Sequence, residues 1–145
     1  TSIDHNLFHQ HLSDLLAGKN ILINEYVFNN SNATPRIKNL VSAPVILVEG
    51  LFIFHDAALS KLFDLKVFVE TKDALKVIRR INRDQSERNY PINDVLYRYQ
   101  HHVLPSYLKY IKPHKEEADL IVNNNKNLEV GINILTCLIK GVLAK

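Results

Sequence analysis

The chain has 145 residues, 46% of them hydrophobic and 23% charged, with a formal net charge of +3. That balance suits one ordinary domain and excludes a disordered tail, while the single cysteine excludes a disulfide framework and a site of clustered cysteines. Mild basicity suits phosphate-bearing ligands and falls short of a nucleic-acid footprint, and no apolar run reaches the length of a bilayer span.

Residues 6–17 carry Leu7, Phe8, Leu12, Leu15 and Leu16 at helical spacing, with Gly18 as the stop. Residues 20–28 read as a strand and 37–41 as a second short one, joined by a polar asparagine-rich loop. The compact run 44–48, Pro-Val-Ile-Leu-Val, predicts a buried strand of a parallel sheet, ending at Glu49-Gly50. A short helix over 57–63 and a strand over 65–70 come next. A helix from 72 to about 87 follows, and another from Pro91 to about Tyr110. The strand 118–122 and the helix 128–143 close the chain. Strands alternating with helices predict an α/β fold with a largely parallel sheet, whose ligands would lie beyond the carboxyl ends of the strands. Glu49, Glu70-Thr71 and Asn123 all stand at such ends. The whole chain, 1–145, is expected to form one domain.

The strongest local signal is the stretch 79–88, Arg-Arg-Ile-Asn-Arg-Asp-Gln-Ser-Glu-Arg. Arg79, Arg80 and Arg83 lie three and four apart, so two or three of them share a helix face. Converging guanidinium groups suit phosphate oxygens, because each offers a planar fork of donors. Phosphoryl transfer needs positive charge of this kind. The same spacing equally describes a solvated face of Arg–Asp and Arg–Glu pairs, and the pattern leaves both open.

Other residues speak more softly. Asp4 precedes the first helix and suits a cap at least as well as a sugar-binding carboxylate. Glu49 could orient a magnesium-bound water, and Tyr26 could stack on a flat ligand or fill a core. His101, His102 and His114 lack carboxylate partners at metal-ligand spacing, and Cys137 reads as packing. There are only four glycines, and neither G-x-x-x-x-G-K-[ST] nor G-x-G-x-x-G occurs, so no phosphate-cradling loop stands in these residues.

In order along the chain, these segments resemble the uridine kinase family, within the wider phosphoribulokinase-like group. Ser2 to Asn6 is similar to the family's N-[FY]-D-H-P, and Ile21 to Tyr26 to its strand ending in tyrosine. Val48 to Leu51 resembles E-G-I-L, Val67 to Thr71 resembles F-V-D-T, and Arg79 to Asn89 resembles the lid R-R-x-x-R-D-x-x-E-R-G. Arg98-Tyr99 with Val103-Leu104-Pro105 matches Q-Y…V-x-P, and 118–123 the final A-D-x-I-[IV]-P strand.

The resemblance implies a P-loop kinase fold and transfer of the γ-phosphoryl group of ATP (or GTP), with Mg²⁺, to the 5′-hydroxyl of uridine or cytidine. By it, Asp4 binds ribose hydroxyls and Tyr26 flanks the base. Arg83 and Arg88 work from a lid at about 79–90, assisted at the phosphates by Arg79 and Arg80, while Arg98 faces the substrate and Glu49 lies near the metal. The family's Walker A lysine and catalytic aspartate belong upstream of Thr1, so an upstream segment is expected and these residues alone should be inactive. A cytoplasmic compartment and a nucleoside partner are expected, with no nucleic acid and no membrane, and a homo-oligomer is left open. Several positions depart from the pattern: Asn6 replaces a proline, Asn89 a glycine and Tyr90 an arginine, while Arg98 stands for a glutamine and Ser31 for a histidine. The departures leave open a kinase of another small alcohol or sugar, itself anionic given Arg98, or a non-catalytic nucleotide- or partner-binding relative.

Overall fold

The computed structural model describes residues 4–25 and 36–144. Tyr26 and Ser31 lie outside them. The chain divides into two compact units, Thr1–Glu49 and Gly50–Lys145.

In the first unit, helix α1 (His5–Leu16) is followed by strands β1 (Ile21–Asn24) and β2 (Ile37–Leu40). Asp4 starts the helix by accepting the Leu7 backbone N–H on Oδ1 at 3.0 Å. Gly18 ends it at φ +81°, where a side chain would strain the backbone. The Gly18 and Lys19 N–H groups donate back to the carbonyls of Leu15 and Asp14, so the last turn closes as a Schellman motif. Ser42 Oγ donates to the Leu15 carbonyl, tying the chain beyond β2 to the same turn. Leu12 and Ile21 form the buried apolar centre.

β1 and β2 pair antiparallel, Ile21 opposite Leu40. The expected buried strand at 44–48 does not form. A strand exists through a neighbour's hydrogen bonds, and among the described residues none runs beside this segment. Leu47 is 89% exposed. Glu49 therefore follows irregular chain rather than a strand end.

In the second unit, α2 (Ala57–Ser60) leads to β3 (Val67–Glu70) and the long helix α3 (Asp73–Arg88). Then come α4 (Ile92–Arg98), a π-helical stretch (Tyr99–Val103), α5 (Leu104–Tyr110) and a 3₁₀ turn (Lys112–Lys115). β4 (Leu120–Asn123) and α6 (Glu129–Leu143) end the unit. β3 and β4 pair parallel, Val67 opposite Leu120 and Glu70 opposite Asn123. The expected parallel α/β arrangement is realised in this pair and its flanking helices.

The single helix expected from Pro91 to Tyr110 changes hand-hold midway. Pro105 has no N–H to give the carbonyl four residues back, and the Leu104 N–H donates to Tyr99, five back. Leu59, Phe68, Val95 and Val122 make the buried core. Gly131 lets α6 approach β4, because a Cβ there would stand 2.3 Å from Val122 Cγ1. Cys137, expected to pack, is exposed, since nothing among the described residues covers its side of α6. Among the described residues no helix is long and apolar enough to cross a membrane.

Candidate functional site

The arginines of α3 divide between two sets of contacts. The helix begins where β3 ends, with Asp73 in its first turn. The Lys72 N–H donates to Asn125 Oδ1 at 2.8 Å, and the Asn124 N–H to the Glu70 carbonyl at 2.7 Å. These bonds stitch the carboxyl ends of both parallel strands to the helix start. Arg79 completes the stitching: Nη1 donates to the Asn124 carbonyl at 2.8 Å and Nη2 to that of Asn125 at 3.2 Å. Lys76 reaches Asp73 Oδ1 and the Tyr107 hydroxyl, each at 2.9 Å. The hydrogen bond and charge of Lys76 hold the Asp73 carboxyl below the usual aspartate range. Burial opposes the charge on Lys76, but its bonds to Tyr107 and Asp73 together outweigh it and raise its pKa.

One residue on from Arg79, the side chain lies about 100° round the helix, toward the second set. Asp84 is 2% exposed, and three guanidinium groups converge on its carboxylate. Arg83 Nε donates to Oδ1 at 3.3 Å, Arg88 Nη1 stands 3.4 Å from the same oxygen, and Arg80 Nε lies 3.3 Å from Oδ2. The Arg80 contact is ionic rather than a directed hydrogen bond, for its Nε has no hydrogen-bond partner. Helical spacing explains the cluster: Arg80 and Arg88 lie four residues either side of Asp84. The main chain uses the same residue, since the Asn89 and Tyr90 N–H groups both donate to the Asp84 carbonyl. Asn89 adopts the left-handed conformation, φ 53°, which asparagine tolerates better than most side chains. Its place at a position where glycine is expected is thereby explained.

Beyond this end, the Arg98 guanidinium stands 4.8 Å over the Tyr90 ring. Two of the expected substrate-facing departures thus meet each other. Arg98 closes the last turn of α4, so the stack joins the two helix ends.

The remaining candidates are spread out. Asp4 is an exposed helix cap, and its second oxygen makes no hydrogen bond among the described residues. Glu49 is exposed. Among the described residues no group of three His, Cys, Asp or Glu side chains could hold a metal ion. His101 and His102 pack their rings around Tyr97, and His114 Nδ1 lies 3.3 Å from Glu117. Asp84 is the residue that sequence reasoning passed over. Its signal was the Arg–x₃–Asp–x₃–Arg spacing, which places both arginines on its side of a helix.

The family profile described as phosphoribulokinase / uridine kinase matches residues 1–130. The chain is 33% identical over 144 residues to a uridine kinase of Ligilactobacillus salivarius, covering 99% of this chain and 68% of that protein. It is 32% identical to a uridine kinase of Tolumonas auensis, covering 98% of this chain and 66% of that protein. To uridine-cytidine kinase A of Dictyostelium discoideum it is 35% identical, covering 93% of this chain and 27% of that protein. The chain thus spans about two thirds of the bacterial relatives and about a quarter of the Dictyostelium one.

Proposed function

The chain belongs to the phosphoribulokinase / uridine kinase family, a family of kinases, and from that premise we propose that the intact protein phosphorylates a nucleoside. The donor is ATP or GTP, the acceptor the 5′-hydroxyl of uridine or cytidine, and the setting the cytoplasm. The observation that carries this reading is the cluster of Arg80, Arg83 and Arg88 around Asp84, three cations against one anion at one end of α3. Two charges remain in excess, suited to the equatorial oxygens of a transferring phosphoryl group.

In this reading Arg83 and Arg88 touch the phosphates, with Arg80 beside them, and 79–90 acts as a lid. Arg79 assists at the base of that lid, where one N–H of each terminal nitrogen serves a main-chain carbonyl. Asp4 and Tyr26 take the ribose and base roles that the family resemblance assigns them. Glu49 would stand near the Mg²⁺ that accompanies the nucleotide, as the family resemblance implies, and no role here depends on it. Positioning and charge neutralisation do the work available to these side chains.

A second reading has its own support. Arg98 stacked on Tyr90 places a fixed cation beside the lid, which favours an acceptor alcohol that is itself anionic. One experiment separates the two. The full-length protein is assayed for nucleotide consumption with uridine, cytidine and a panel of neutral and anionic small alcohols. Uridine- or cytidine-dependent turnover is expected. Turnover with an anionic alcohol alone would replace the nucleoside, and none with any acceptor would sink the kinase reading.

A further inference from the structure

We propose that Asp84 is a positioning residue for phosphoryl transfer: its carboxylate sets the spread of the Arg80, Arg83 and Arg88 guanidinium groups before the phosphates arrive. The inference rests on the kinase reading above and deepens it. Asp84 is the one buried residue of α3, on a helix end where the neighbouring positions 85–90 are all exposed. Its companions are far more open: the side chains of Arg80, Arg83 and Arg88 are 25%, 47% and 51% exposed. One buried carboxylate is paired by one or two well-placed cations, so three half-open arginines on it exceed what its burial requires.

The geometry of the contacts points to orientation instead. Arg83 donates to Asp84 through Nε, Arg80 turns its Nε toward the same carboxylate as an ionic contact only, and the terminal amino groups of both make no hydrogen bond among the described residues. A guanidinium held by Nε presents its end-on fork outward, which is the edge that pairs with phosphate oxygens. The two carboxylate oxygens divide the arginines, Oδ1 holding Arg83 and Arg88 and Oδ2 holding Arg80. The carbonyl of the same residue takes the Asn89 and Tyr90 N–H groups, so the turn that follows is registered to the same point.

The test uses Asp84→Asn and Asp84→Glu in the full-length protein. The first removes a negative charge from the cluster; the second keeps it and moves it by one methylene. If attraction alone mattered, Asp84→Asn would be at least as active. Positioning instead lowers kcat by roughly 10- to 100-fold in both variants, with KM for the nucleotide unchanged or lower. A fall in thermal stability with kcat intact would overturn the proposal, as would a raised KM with kcat intact. Calorimetric titration with inorganic triphosphate and with inorganic phosphate gives a readout that needs no turnover. The wild type is expected to prefer triphosphate, and Asp84→Asn to lose that preference while still binding anions. A preference that survives in the variant, or is absent from the wild type, overturns the inference. Absence of turnover in the wild type overturns the kinase reading alone, and the triphosphate preference then still decides the role of Asp84.

Discussion

The two ends of α3 carry the same kind of side chain in different employment. At the start, Arg79 and Lys76 are tied to other elements, the loop after β4 and the Tyr107 hydroxyl of α5. At the finish, Arg80, Arg83 and Arg88 are tied, among the described residues, only to Asp84 of their own helix. Arg79 and Arg80 are neighbours in sequence, yet about 100° of helix rotation separates them, enough to send one to the sheet and the other to the cluster. The anchored end is the part whose loss should unsettle the fold. The self-contained end is the part whose loss should be felt in activity.

The largest expected effect sharpens that division. Arg83→Ala should lower kcat of the full-length protein by roughly 10²–10³-fold, the scale of losing one transition-state donor. Unfolding in urea should show a stability change of no more than about 0.5–1 kcal/mol, because Arg80 and Arg88 still pair the buried Asp84 carboxylate. A large stability loss with normal turnover would reverse the roles of the two ends.

Next comes the sheet on which the anchored end depends. Gly131→Ala should cost about 1–3 kcal/mol, since its Cβ would enter the space of Val122 Cγ1 and α6 would have to move. Val122→Ala in the same chain should return part of that loss. Urea unfolding of the two single variants and the double one measures the coupling.

Smaller still, Arg79→Ala should cost about 1 kcal/mol, with two exposed carbonyls regaining water as partners. Its kcat should fall far less than that of Arg83→Ala. Equal losses of kcat in the two would show that Arg79 also reaches the phosphates, and would erase the distinction between the ends.

The smallest effect is a pH dependence at the anchored end. Asp73 has its pKa depressed in the folded chain by Lys76, so its contribution is complete above the ordinary aspartate value, about pH 4. It is lost as pH falls through the lower, folded value. The side chain is 75% exposed, so the contribution is a few tenths of a kcal/mol at most. Acid unfolding of Asp73→Asn should show a slightly shallower loss below about pH 4 than the parent.

Local order was readable from the residues themselves. The α1 stop at Gly18, the helix α3 and the strands at 67–70 and 120–123 follow from periodicity, apolar runs and turn residues acting within a few positions. So does the gathering of arginines along α3, although Arg79, expected to share a face with Arg80 and Arg83, goes to main-chain carbonyls and Arg88 takes its place at Asp84. The run 44–48 failed for the opposite reason. Its composition suits a buried strand, but a strand requires a partner's hydrogen bonds, and no property of the five residues supplies one. The same limit hid the division of work along α3. Which arginine meets a carbonyl, which meets a carboxylate, and that Tyr90 would lie under Arg98, depend on the rotation of the helix against β4 and α4. Sequence determined that cations would gather here. Only tertiary structure decided which of them reaches a distant main-chain carbonyl and which stays with Asp84, because that choice is made by contacts between residues up to 46 positions apart.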